Sequence, residues 1–111
     1  FEIGLDDVRV GEDAVIGSVG NGFRHLMSTL HYSRASMAAT VTGAAQAALD
    51  TVTAHARGRE QFGRPISSFQ VIAHRLADLQ IRIDLSRLMV RHLANLIARG
   101  LPCRREAAQA K

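Results

Sequence analysis

Residues 57–70 read RGREQFGRPISSFQ, and side chains suited to a charged, flat ligand concentrate there. A plain connector needs only Gly or Pro to turn the chain and polar groups to stay wet. This one carries Arg57, Arg59, Arg64, Phe62, Gln61 and Gln70, framed by Gly58, Gly63 and Pro65. Arg57 and Arg59 stand where a helix should end, and cations there oppose the macrodipole. Gly63-Arg64-Pro65 reads as turn chemistry. Neither reading explains an apolar Phe62 at a loop tip flanked by amides. An arginine beside a helix N-terminus at Ser67–Gln70 is a site for a pyrophosphate, and a nearby Phe and amide suit a purine or ribose. Any basic helical turn shares part of that pattern, so the motif alone does not decide the ligand.

Arg34 is the second anomaly. It lies four residues after Leu30 and three before Met37, inside an apolar stripe. A charge on a buried face costs several kcal/mol, roughly, unless it is paired. Arg34 therefore either sits at an edge and reaches water or meets an anionic ligand or carboxylate. His25, His31, His55, His74 and His92 show no metal-binding spacing, and no metal site is expected. His31 shares a turn with Arg34 and is the one to follow. Cys103 has no histidine near it in the chain, and Ser33 carries no triad signature.

The elements that must position these residues are helical. Asn21 is a candidate cap, and Phe23, Leu26, Leu30, Met37, Val41, Ala44, Ala48 and Val52 recur at helical spacing, which predicts a helix over 22–57. Gly43 within it should mark a close approach of a neighbouring helix, together with Ala39, Ala44 and Ala47. Ser67 and Gln70 match a capping box. Ile72, Leu76, Leu79, Ile83, Val90, Leu93 and Ile97 then form a second stripe, stopped by Gly100 and Pro102. A third helix should start near Arg104. Ahead of all this, FEIGLDDVRV alternates apolar residues around Asp6-Asp7, which predicts one or two short strands. Both ends read as cut from something longer. The fold class is mainly α, an antiparallel helical-bundle fragment with one or two short N-terminal β-strands, divided at 1–19 and 20–111.

The totals are compatible with that. The 111 residues bound one domain at most, and 47% apolar with 22% charged residues is globular composition rather than disorder. The net charge of +4 is uneven: residues 1–13 hold five acids against Arg9, so the rest of the chain carries +8. A basic helical region attracts phosphates of nucleic acid, membrane or nucleotide alike. A single cysteine excludes an internal disulfide and fits a reducing, cytoplasmic setting. Ala35–Leu49, the longest run free of charge, is too short and too polar to span a bilayer.

Taken in order, these residues resemble the acyl-CoA dehydrogenase family over the whole chain. FEIGLDDVRVGEDAVIG resembles the end of its middle β-domain, and GNGFRHLMSTLHYSR the opening of its C-terminal helical domain. The most specific pattern is RxQFGxPI…FQ, at Arg59, Gln61, Phe62, Gly63, Pro65, Ile66, Phe69 and Gln70. The resemblance implies that this loop crosses a subunit interface in a homodimer or homotetramer and binds the neighbour's FAD. Arg59 would then pair with the FAD diphosphate, Gln61 and Phe62 would line the dinucleotide, and Phe69 and Gln70 would contact it from the next helix. It also implies α,β-dehydrogenation of an acyl-CoA thioester, a carboxylate taking the α-proton while the β-hydrogen leaves as hydride to the flavin.

Arg34 matches a family arginine that helps hold the thioester substrate, usually in a D-x-x-R setting. Here the residues are His31-Tyr32-Ser33-Arg34, so His31 replaces the acid. Ser33 stands where some members carry the catalytic glutamate, and a serine cannot act as that base. The base is expected outside this chain, and His31 and Ser33 join Arg34 only as substrate-contact candidates. Two other classes are weighed against this one. A non-catalytic helical oligomerisation module derived from the family would keep the packing and lose the flavin. A nucleic-acid binder would need an aromatic platform or recognition helix that the sequence lacks.

Overall fold

The computed structural model describes residues 1–111, in two compact units, Phe1–Leu30 and His31–Lys111. Three helices carry most of the chain: α1 over Gly22–Gly58, α2 over Gln70–Ala98 and α3 over Arg104–Gln109. Two two-residue strands, β1 at Glu60–Gln61 and β2 at Arg64–Pro65, pair antiparallel between α1 and α2.

In the first unit the strands expected near the N-terminus are absent. Residues 1–20 are exposed throughout and contain only one 3-10 turn, Glu12–Ala14. Phe1, Ile3 and Leu5 alternate as a strand would, but no second strand lies beside them to complete a ladder, and an isolated strand is not stable in water. Gly20, at φ +85°, turns the chain into α1. Asn21 precedes the helix as expected, and its carbonyl accepts the His25 N–H at 3.1 Å. Its side chain does not cap: the amide donates backwards to Ser18 Oγ at 2.7 Å.

In the second unit α1 and α2 run antiparallel. Ala35 of α1 packs against the cluster that holds Leu93 of α2, whereas Gln46 bonds to Gln80 and Arg87 nearer the start of α2. The core centres on Leu93 (0% exposed), Cys103 and Ala107, so α3 seals one end of the helix pair. Gly100 ends α2 as expected, and its φ of +63° shows why. Its N–H donates to Ile97 O at 3.0 Å and the Leu101 N–H to Leu96 O at 2.9 Å, a Schellman arrangement that only a left-handed residue completes easily.

Three expectations about packing fail. The stripe expected to be buried on α1 is mostly exposed: Met37, Val41 and Val52 are each more than half exposed. The line that turns inward is instead Ala35, Ala38, Thr42, Gln46, Leu49, Thr53 and Ala56. α1 meets α2 on a strip of small and polar residues, so the more apolar strip is left beside open grooves lined by Val41, Ala45, Ala48 and Val52. Gly43 meets nothing within 4 Å, so no close helix approach explains it in this chain. The Ser67–Gln70 capping box does not form, because residues Ile66–Ser68 make a 3-10 turn and α2 starts only after Phe69. Ser68 Oγ donates to Pro65 O at 2.7 Å within that turn. On α2 the expected stripe does face inward, apart from Leu79 at 40% exposed.

Candidate functional site

The loop singled out by its composition folds as a β-hairpin. Glu60 pairs with Pro65 and Gln61 with Arg64, leaving Phe62 and Gly63 as the two-residue tip. Both tip residues have positive φ, +54° and +76°, the requirement of a type I′ turn, whose twist matches that of a hairpin. Gly63 adopts this freely, but Phe62 is a bulky side chain in the left-handed region, which costs on the order of 1–2 kcal/mol. Backbone bonds anchor the hairpin: the Arg59 N–H to His55 O and the Ile66 N–H to Arg59 O, both 2.8 Å.

The side chains of the hairpin are held ready rather than buried. Phe62 is 92% exposed. Its ring centroid lies 6.2 Å from that of half-buried Phe69 at an interplanar angle of 83°, an edge-on contact. The Arg64 guanidinium stands 4.2 Å from the Phe69 centroid, a cation–π pair worth about 0.5–1 kcal/mol at an exposed site. Arg59, Gln61 and Gln70 are exposed. The chain's two ion pairs are Arg87–Asp84 and Arg105–Glu106, so Arg59 and Arg64 have no acidic partner. No side chain caps the N-terminus of α2 beside them. The free Arg59 guanidinium, an open helix N-terminus and an exposed ring suit an anionic ligand with a flat ring system.

The structure does not bring the Arg34 group to this hairpin. Arg34 lies about 36 Å along α1 from Gly58, from a rise of about 1.5 Å per residue. Arg34 and His31 are half-buried on the inner side of α1, whereas Ser33 is exposed and lines a shallow groove with Ser36, Met37 and Thr40. Arg34 makes no ion pair within the chain. His31 reaches a residue far away in the chain: Cys103 Sγ lies 3.7 Å from its Nδ1. That contact links positions 72 apart in sequence, and proximity along the chain could not reveal it. No three His, Cys, Asp or Glu side chains form a metal-sized group.

Sequence reasoning also missed a polar node between α1 and α2. Gln46 Oε1 accepts from Arg87 Nη2 at 2.8 Å, its Nε2 donates to Asp50 at 2.9 Å and to Gln80 at 3.3 Å, and Arg87 Nη1 meets Asp84 at 2.8 Å. The node lies one turn from the buried Leu49 and Ile83, and its directional bonds hold the two helices in register. Arg64 was legible only as turn chemistry, since its stacking on Phe69 depends on how the hairpin folds back.

Comparison with known proteins settles the kinship. The family model for the acyl-CoA dehydrogenase C-terminal domain matches residues 20–111. The chain belongs to the acyl-CoA dehydrogenase family. A probable acyl-CoA dehydrogenase, YngJ of Bacillus subtilis, is 48% identical over 110 residues, which cover 99% of this chain and 29% of that protein. The caffeyl-CoA reductase–Etf complex subunit CarC of Acetobacterium woodii is 36% identical over 110 residues, again 99% of this chain and 29% of the relative. Among solved structures, butyryl-CoA dehydrogenase from Megasphaera elsdenii superposes with a TM-score of 0.87 at 36% identity, covering 94% of this chain and 27% of that one. The chain therefore spans less than a third of the length of these relatives.

Proposed function

We propose that this chain is the part of an FAD-dependent acyl-CoA dehydrogenase that lends cofactor contacts to a neighbouring subunit and substrate contacts to its own. In this reading residues 1–19 end a middle β-domain and residues 20–111 begin the C-terminal helical domain. The supporting observation is the hairpin: its Arg59 lacks an acidic partner, its Phe62 is exposed in a costly conformation, and the whole lies some 36 Å along α1 from Arg34. Two ligand-facing groups so far apart on one rod suit a homodimer or homotetramer in which each chain serves two sites.

Each residue then has a role its chemistry allows. Arg59 neutralises the diphosphate with a planar fork of donors, a task for which lysine is a poor substitute. Gln61 supplies an amide and Phe62 a ring face to the dinucleotide, with Phe69 and Gln70 behind them at the start of α2. Arg34, half-buried and unpaired, orients the acyl-CoA thioester, with His31 and Ser33 on neighbouring faces of the same turn. When bound, FAD supplies acceptance of the β-hydrogen as hydride. The residues proposed here bind and orient; removal of the α-proton falls to a carboxylate elsewhere in the whole protein. No helix is long and apolar enough to cross a membrane, and a cytoplasmic location is part of the proposal.

The test is the colour and chemistry of the purified protein at the full length of its relatives. Flavin absorbance together with dye-coupled oxidation of an acyl-CoA supports the reading. A folded, colourless protein that takes up no FAD overturns it and favours the non-catalytic helical module. A second reading follows from two relatives at 36% identity, the caffeyl-CoA reductase subunit and a 3-(aryl)acrylate reductase of Clostridium sporogenes. It has the same carbon–carbon bond worked in the reducing direction, and assay with an α,β-unsaturated acyl-CoA and reduced dye separates the two.

A further inference from the structure

Arg64 is the one hairpin residue whose side chain is committed within the chain yet has no part in the reading above. Its guanidinium covers Phe69 at 4.2 Å from the ring centroid, so that region of the ring is closed to a ligand. Phe69 in turn receives the Phe62 ring edge-on, at 6.2 Å and 83°. The three side chains thus form a chain of support from Arg64 through Phe69 to Phe62. At its outer end stands a 92% exposed ring on a backbone with φ +54°. β2 and the turn Ile66–Ser68 bring Arg64 back over Phe69, five residues on in sequence. Strand pairing holds the Phe62 backbone, and Phe69 is the aromatic partner that orients its ring.

We infer that Arg64 is a positioning residue of the flavin site: by stacking on Phe69 it sets the plane of that ring, and through it holds Phe62 in the orientation that meets the dinucleotide. The inference rests on the FAD reading proposed above. It assigns Arg64 a role different from that of Arg59: Arg59 acts by charge on the ligand, whereas Arg64 acts on Phe69. The two arginines are therefore distinguishable by what their removal depends on.

The test is a double-mutant cycle on FAD dissociation from the protein at full length, read by flavin fluorescence, with thermal melting alongside. Arg64→Leu should weaken FAD binding about two- to fivefold in the parent, the range of an exposed cation–π contact, and leave it unchanged in a Phe69→Leu background. Arg64→Gln, which keeps a polar planar end without the charge, should behave as Arg64→Leu does. The same loss in both backgrounds would mean that Arg64 touches the ligand directly, and would overturn the inference. So would no loss in either, provided Arg59→Ala still weakens FAD binding. If Arg59→Ala, Arg64→Leu and Phe69→Leu all leave FAD binding intact, the flavin reading itself falls, and this inference with it.

Discussion

Replacing Arg59 by alanine isolates one interaction, because the structure shows what the substitution does not disturb. The hydrogen bonds at this position are made by the backbone, the N–H to His55 O and the carbonyl from Ile66 N–H, and alanine keeps both. The guanidinium forms no ion pair and is exposed, so its loss leaves no buried partner stranded. Hydrogen bonds to charged groups are worth about 1.5–3 kcal/mol. At about 1.4 kcal/mol per tenfold change, Arg59→Ala should raise the FAD dissociation constant roughly 10- to 150-fold. The assay is flavin titration of the apoprotein at full length, repeated at low and high ionic strength, with a melting curve for each variant. The wild-type advantage should shrink with salt, since an exposed charge is screened within a Debye length of about 10 Å at 0.1 M. Unchanged FAD affinity at low salt would refute the reasoning. A large fall in melting temperature of the apoprotein would refute it differently, by showing that Arg59 supports the fold.

Three further outcomes are expected. Leu93→Ala, at the fully buried centre of the α1–α2–α3 junction, should cost about 2–5 kcal/mol, measured by denaturant unfolding of the full-length protein. Gly100→Ala should destabilise by about 1–2 kcal/mol, because a Cβ is strained at φ +63° even though nothing crowds it, and unfolding midpoints of the two proteins check this. The Glu106 carboxyl is held below its ordinary value, first by a backbone N–H and then by Arg105, with His92 adding a smaller effect, against the opposing pull of desolvation. A lowered folded value means that the stabilisation is present above the unfolded carboxylate pKa and is lost as pH falls through the folded one. Acid titration followed by NMR should show α3 loosening in that acid range, and Glu106→Gln should remove that transition.

Features that depend on neighbours a few residues away are written in the order of the residues. Helix α1 was legible as 22–57 and is Gly22–Gly58, and Gly100 stops α2 because only a left-handed residue satisfies the last carbonyls. The hairpin was visible as a loop too rich in definite side chains, and its RxQFGxPI…FQ pattern pointed to the family. Long-range packing sets the rest. Which face of an alanine-rich helix turns inward depends on what covers it, not on which strip is the more apolar; contact with α2 selects the Ala38–Leu49–Ala56 line over the Met37–Val41–Val52 line. Strands at the N-terminus need a partner strand that residues 1–19 do not meet. The Cys103–His31 contact, the Gln46–Arg87 bond and the Arg64–Phe69 stack are all made when the chain folds back on itself, and residue periodicity carries no information about such contacts.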